Sequence, residues 1–149
     1  MSTDVVLEIP KGVSNTTYDL MKDLELKSGV SFEKVIKVSI PKGVECIGTN
    51  SFCWYKSLME ITLPDTVEII KEKAFFSCDS LKSITIPSSV KTIESEAFLE
   101  CENLEYIKLE CDLSVIEDID CFLACSKNIR FELKDGSVVN HNQLYNILD

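Results

Sequence analysis

The stretch that decides the fold is LMEITLPDTVEIIKEKAFFSCDSLKSITIP, residues 58–87, because its end repeats the apolar pattern of its beginning. The segment ITLP at Ile61 returns as ITIP at Ile84, 23 residues later. The same register finds VSIP at Val38 and IKLE at Ile107, so four copies start 23 residues apart. A fixed period of this length indicates a repeat protein, in which similar units stack on one another.

The remaining columns of the repeat keep the same register. A Phe lies downstream of each strand segment, a Cys or Tyr lies three positions after it, and a Leu or Asn lies six positions after it. These columns are Phe52, Phe75, Phe98 and Phe122; Tyr55, Cys78, Cys101 and Cys125; and Leu58, Leu81, Leu104 and Asn128, with one residue inserted before Phe122. Upstream, LEIPKGV at residues 7–13 matches VSIPKGV at residues 38–44, which predicts one further repeat with eight extra loop residues.

The repeat unit itself predicts a short strand, a turn and a crossing. Alternating β-branched segments such as ITI favour strands, and the Pro that follows ends the strand because it has no N–H. We expect this Pro at the second position of a turn, followed by a second short apolar piece. The segments EKAFFSC and ESEAFLEC predict a brief helical crossing. A unit this small buries its apolar face only by stacking, which predicts a right-handed solenoid.

The pattern LxxIxLPxxVxxIxxxAFxxCxxLxxIxIP, as it stands at residues 58–87, resembles the BspA-like leucine-rich repeat. The resemblance covers about residues 35–133. It implies a leucine-rich-repeat solenoid with a parallel β-sheet on the concave side and short β or helical segments on the convex side. The last repeat departs from the pattern, with Glu110 in place of Pro and Asn128 in place of Leu, so we expect an irregular end.

Helical caps are predicted at both ends of the stack, because terminal repeats expose an apolar face. In NTTYDLMKDLELKSG, Thr16 and Asp19 have the spacing of a capping box, and Gly29 ends the helix. In NHNQLYNIL, the side chains expected on one face are Leu144, Ile147 and Leu148. The predicted single domain 1–149 therefore comprises an N-terminal rung and cap (1–34), the repeats (35–133) and a C-terminal cap (134–149).

Composition excludes several classes of function. The net charge of −10 argues against binding to nucleic acid or to anionic membranes, which need Lys and Arg. The apolar runs are too short to cross a membrane, and the N-terminus lacks the basic and apolar regions of a secretory signal. We therefore expect a cytoplasmic protein; the alternative is the cell surface, reached by a non-classical route.

No catalytic, cofactor-binding or metal-binding set emerges from the sequence. Cys78, Cys101 and Cys125 share one column, which predicts a buried row of thiols that a reducing cytosol keeps from oxidising. CFLAC is the one closely spaced Cys pair, whereas zinc sites use two such pairs or a His pair. The acids Glu117, Asp118 and Asp120 lack a calcium-loop spacing, and His141 has no nucleophile partner in sequence. An enzyme using Cys121 or Cys125 is the least favoured alternative, and the prediction is a non-enzymatic protein without cofactors.

The outward positions of the concave sheet are the candidate partner-binding surface, because solenoids commonly bind partners there. One outward column runs Lys37, Glu60, Ser83, Tyr106 and Arg130, and the next runs Ser39, Thr62, Thr85, Lys108 and Glu132. Tyr106 beside Arg130 would suit a hot-spot pair. Trp54 and Tyr55 interrupt the Cys column and are either an exposed aromatic patch or, as we favour, a plug under the N-terminal cap.

These observations predict a protein–protein interaction module, with an intracellular scaffold or regulator as first choice. The family it resembles includes surface adhesins that engage host proteins, so an adhesin binding host or matrix proteins is the alternative. Residues 94–120 contain ten acids and one base, Lys108, a local net charge of −9. Because such a field attracts positive charge, we expect a basic protein partner near the C-terminal half, with Tyr106 central.

Overall fold

The chain forms a stack of repeats, most of which contribute one strand to each of two sides of the stack, in a computed structural model that describes residues 4–149. The strands are β1 Val5–Glu8, β2 Asn15–Thr16, β3 Val35–Ser39, β4 Cys46–Ile47, β5 Glu60–Thr62, β6 Ile69–Ile70, β7 Ser83–Ile86, β8 Thr92–Ile93, β9 Tyr106–Leu109, β10 Arg130–Glu132 and β11 Val138–Asn140. The α-helices are α1 Tyr18–Ser28 and α2 His141–Leu148, and the short 3-10 helices are Phe32–Lys34, Leu113–Val115 and Ile119–Phe122.

The first strand of each repeat builds the concave sheet in the register that the sequence predicts. Val38 of β3 pairs with Ile61 of β5, and Ile84 of β7 pairs with Ile107 of β9. Leu7 of β1 pairs with Val38, so the additional N-terminal rung is confirmed. The hydrogen-bonded orders are β1-β3-β5 and β7-β9-β10-β11, with β5 and β7 side by side and β11 antiparallel at the C-terminal edge.

The second strand of each repeat builds a parallel sheet of order β2-β4-β6-β8, which an isolated bridge from Ile93 to Ile116 extends. The turn between the two strands differs from the predicted one. The N–H of Val67 donates to the Pro64 carbonyl at 3.1 Å, and the N–H of Val90 donates to the Pro87 carbonyl at 3.1 Å. Pro is therefore the first residue of a four-residue turn, where it supplies the acceptor, and not the second.

A column of aromatic rings forms the centre of the core. Neighbouring rings stack with centroid distances of 5.4 Å between Phe52 and Phe75, 5.0 Å between Phe75 and Phe98, and 5.6 Å between Phe98 and Phe122. Phe131 closes the column at 4.9 Å from Phe122. All five side chains are fully buried. The repeat register thus places one ring over another through the whole stack.

The convex crossings are tight turns in the full repeats, and the predicted helical crossing is wrong there. Lys73 and Ser77 adopt left-handed backbone angles with φ of 55° and 53°, and Glu96 and Glu100 repeat this at 58° and 61°. Two such residues, four positions apart, interrupt a right-handed helix. Instead, the crossings bond to each other: the Phe75 N–H donates to the carbonyl of Ala97 at 2.8 Å. The last crossing, with its inserted residue, is the 3-10 helix Ile119–Phe122.

The thiol column is buried as predicted for Cys78 and Cys101, whereas Cys125 is half-buried. Each thiol donates to the carbonyl of the Phe one repeat earlier: Cys78 to Phe52 at 3.2 Å, Cys101 to Phe75 at 3.0 Å, and Cys125 to Phe98 at 3.2 Å. Because these carbonyls belong to the crossing turns, the thiols stabilise the polar backbone of the core.

Both predicted helices are present, with different details. The residue that caps α1 is Thr17, whose hydroxyl accepts from the Leu20 N–H at 3.1 Å, and not Thr16, which is buried in β2. Gly29 ends α1 in a left-handed conformation, as predicted. In α2, Asn140 and Gln143 form the capping box and Leu144 is buried, but Ile147 is 53% exposed and does not join the core face. Their role in sealing the stack stays a prediction.

Of the two alternatives for Trp54 and Tyr55, Tyr55 is the buried plug and Trp54 is the exposed aromatic residue. Tyr55 is 4% exposed and packs between Phe32, at 5.6 Å, and Phe52, at 5.5 Å, so it is the plug. Trp54 is 45% exposed and lies edge-on to Phe76 at 5.2 Å. Its backbone is left-handed, which turns the indole outward from the column that Tyr55 fills.

Candidate protein-interaction surface

The concave sheet brings the predicted surface residues together in two straight columns. The pairing places Lys37 beside Glu60, Ser83 beside Tyr106, and Tyr106 beside Arg130. The neighbouring column pairs Thr85 with Lys108 and Lys108 with Glu132. In a strand these residues alternate with core residues, so their side chains leave the sheet on its outer face. All of the predicted residues are exposed or half-buried: Lys37, Glu60, Thr62, Ser83, Thr85, Tyr106, Lys108, Arg130 and Glu132.

Ion pairs and hydrogen bonds hold several of these side chains. Between rungs, the Lys37 Nζ lies 2.6 Å from Glu60 Oε1; within one rung, the Lys108 Nζ lies 3.3 Å from Glu110 Oε1. The Tyr106 hydroxyl donates to Glu132, which raises the pKa of the phenol. Tyr106 therefore lies beside Arg130 in the sheet, while its hydroxyl is hydrogen-bonded to Glu132. The hot-spot role of Tyr106 and Arg130 stays a prediction.

The centre of the concave face is a groove of about 580 Å³. Small hydroxyl side chains line its middle, and Tyr106 with Lys108 lines one side. Met59 lines it as well and is 57% exposed, although it was not among the predicted residues. Met59 directly precedes β5, where the equivalent positions of the next repeats carry Lys82 and Glu105. Ile36 and Ile129 occupy the same column in the first and last of these strands, so the column mixes apolar and charged residues and gave no clear sequence signal for Met59.

The described residues show no arrangement typical of a catalytic centre. No group of three or more His, Cys, Asp or Glu within residues 4–149 could hold a metal ion. Burial raises the pKa of the thiols of Cys46, Cys53, Cys111 and Cys121. A nucleophilic cysteine needs the opposite shift, because the thiolate is the reactive form.

Two sheets of stacked parallel strands, a buried Phe column and a groove on the concave sheet define a leucine-rich-repeat solenoid. The chain belongs to the BspA-type leucine-rich-repeat family, whose model matches residues 30–145 in six copies. Within residues 4–149, no helix has the length and apolar character needed to cross a membrane.

Solved structures with the same fold come from several bacteria. A leucine-rich-repeat protein of T. pallidum has a TM-score of 0.68 at 24% identity, over 85% of this chain and 56% of that one. A leucine-rich cell surface protein of Faecalibacterium prausnitzii has a TM-score of 0.67 at 26% identity, over 96% of this chain and 34% of that one. A leucine-rich repeat protein from Bacteroides ovatus has a TM-score of 0.56 at 33% identity, over 68% of this chain and 24% of that one. No curated protein shows significant similarity to the chain.

Proposed function

We propose that the chain is a protein-interaction module that binds a protein partner on its concave sheet. The observation that carries the proposal is the groove, which sets exposed Met59 and Tyr106 beside a row of small hydroxyl side chains. Tyr and other amphipathic side chains at the centre of a surface are typical of binding hot spots. The surrounding ion pairs hold the polar edge of the groove in place and would give orientation to a partner.

Of the two settings for such a module, the cysteine content supports an intracellular scaffold or regulator. All seven cysteines are free thiols, and Cys46 and Cys53 are only partly buried. Free thiols persist in reducing compartments, whereas secreted proteins usually hold theirs in disulfides. A cytoplasmic location accords with this chemistry.

A cell-surface adhesin is the second candidate. The F. prausnitzii protein that matches over 96% of this chain is described as a cell surface protein. The chain spans about a third of that protein, 34%. On this alternative, the same concave sheet would bind host or matrix proteins.

A photo-crosslinking amino acid tests both the surface and the setting. It would replace Thr85 on the concave sheet or, as a matched control, Thr49, an exposed threonine on a convex turn. After illumination of living cells, we expect one defined adduct from position 85 in the cytosolic fraction and none from position 49. Adducts only at position 49 would contradict the concave surface, and adducts only on surface-exposed protein would favour the adhesin.

A further inference from the structure

The C-terminal end of the solenoid carries a second groove, of about 450 Å³, which shares no lining residue with the concave groove. It lies between the chain that follows β9 and the last turn of α2. We name it the C-terminal groove; its half-buried apolar residues are Leu113, Ile119 and Leu148, and its exposed acids are Glu117, Asp118 and Asp120.

The apolar part of this groove is open because the second sheet ends here. Ile116 bonds to the previous rung as an isolated bridge with Ile93, and the chain turns into α2 after only two more strands, β10 and β11, at the edge of the concave sheet. Tyr145 of α2, 48% exposed, completes the wall. Apolar side chains that remain open beside a helix are a common place for a partner segment to dock.

The charge of the C-terminal groove indicates which kind of protein segment would bind there. Of the residues within 4–149 that line it, four are acidic and none is Lys, Arg or His. The last turn of α2 carries no basic residue, and Asp149 follows it, so the negative end of the helix dipole adds to the field. The nearby Asp112 pairs with Lys134 at 3.2 Å, but among the residues described by the structure no cation lines the groove beside its own acids.

We propose that the C-terminal groove binds a protein segment whose apolar side chains are flanked by Lys or Arg. The apolar side chains would cover Leu113, Ile119 and Leu148, and the basic ones would meet Glu117, Asp118 and Asp120. A second copy of this chain fits less well, since residues 1–93 contain twelve acids and eleven bases and offer no basic excess. This docking is independent of the concave surface, so either proposal stands if the other fails.

The test uses a short fluorescent peptide of Lys and Leu, titrated with the full chain while anisotropy is recorded. Two triple variants carry the same change in net charge. One is Glu117→Gln, Asp118→Asn and Asp120→Asn in the groove. There, the Asp118→Asn change keeps a side-chain oxygen that can accept from the backbone N–H of residue 120, as the Asp118 carboxylate does at 2.9 Å. The other variant replaces exposed glutamates of the N-terminal rungs: Glu8→Gln, Glu33→Gln and Glu45→Gln.

We expect the groove variant to weaken peptide binding about tenfold, the size of three lost surface ion pairs, and the control to bind as the wild type does. A peptide with Ser in place of Leu should bind much more weakly. The proposal is overturned if the Lys and Leu peptide does not bind, if both triple variants weaken it equally, or if the Ser peptide binds as tightly. It is also overturned if sedimentation shows dimers that the groove variant dissolves, because the occupant is then a second copy. If the groove variant does not fold, NMR amide chemical-shift changes in the wild-type chain on adding the peptide provide the test. The proposal requires these changes to cluster at residues 113–120 and 145–149, and it is overturned if they lie elsewhere.

Discussion

At the scale of the residue, the packing of Phe98 shows how neighbouring repeats depend on one another. The Phe98 ring lies between Phe75, at 5.0 Å, and Phe122, at 5.6 Å, and is fully buried. Removing it would leave a cavity that its neighbours on both sides cannot fill. We expect Phe98→Ala to lower the free energy of unfolding by about 3–5 kcal/mol, measured by urea denaturation. The same change at half-buried Leu99 is the control, and a loss below about 1 kcal/mol at Phe98 would contradict the register.

Gly48 is the residue whose importance the sequence did not reveal. The equivalent positions of the later repeats are Lys71, Glu94 and Glu117, so the column tolerates large side chains elsewhere. At Gly48, however, an added Cβ would lie 2.1 Å from the Thr16 backbone oxygen. The Gly48 N–H donates to that same oxygen at 3.0 Å. The Thr16 carbonyl therefore occupies the space that a side chain at position 48 would need.

This contact predicts that Gly48→Ala destabilises the junction between the first two rungs. The backbone must shift to relieve the overlap, so we expect a loss of about 1–3 kcal/mol in thermal or urea unfolding. Thr49→Ala, at the next and exposed position, should change stability little. If the two variants melt alike, the close approach of Thr16 is not present in solution.

Among the elements, the thiol column responds to pH in a defined direction. The neighbouring Cys101 thiol, together with burial, raises the pKa of Cys125 in this column, and burial raises the pKa of Cys121, which lies outside the column in the last crossing. The folded state therefore keeps protons that the unfolded state releases above the pKa of a free thiol, about 8.5. We expect the free energy of unfolding to be unaffected by these thiols below that pH and to fall as the pH rises above it.

Native alkylation checks the same element. Cys78 and Cys101 should react only after unfolding, since they are buried and bonded to backbone carbonyls. Half-buried Cys46 and Cys53 serve as internal controls and should react first. Rapid labelling of Cys101 in the native protein, followed by mass spectrometry, would show that the column is exposed.

The elements also show where sequence reasoning stops. Strand register followed from the apolar columns, because a slip by one residue would turn every buried side chain outward. The crossings were predicted as helical since nothing in EKAFFSC marks Lys73 and Ser77 as left-handed. Gly or Asn is the usual signal for that conformation, and tertiary bonds between crossings replace it here. The ion pair of Lys108 with Glu110, and Glu132 as partner of Tyr106, likewise depend on side-chain positions that the repeat pattern does not set.

At the scale of the whole molecule, the charge is unevenly distributed. The segment 94–120 has a net charge of −9, whereas residues 1–93 are nearly balanced. Glu102 and Glu105 are exposed, while Glu110 is paired with Lys108. A negative field accelerates association with a basic partner, and salt screens it over about 8 Å at physiological ionic strength.

We therefore expect Glu102→Gln with Glu105→Gln to slow association with a basic partner and to flatten its salt dependence. The melting temperature should change little, since both side chains lie on the surface. Stopped-flow mixing at several salt concentrations measures the rate, with Glu8→Gln and Glu33→Gln as the control. If the association rate changes neither with salt nor with these substitutions, the acidic segment does not steer a partner and serves only solubility.

The central claim is that partner binding occurs on the concave sheet, and titration calorimetry with the crosslinked partner, once purified, tests it most directly. Thr85→Arg places a bulky charge in the middle of the concave groove, and Thr49→Arg places the same side chain on a convex turn. We predict that Thr85→Arg weakens binding by about tenfold or more, as for a disrupted hot spot, while Thr49→Arg binds like the wild type. Equal affinities for the two variants would contradict the claim.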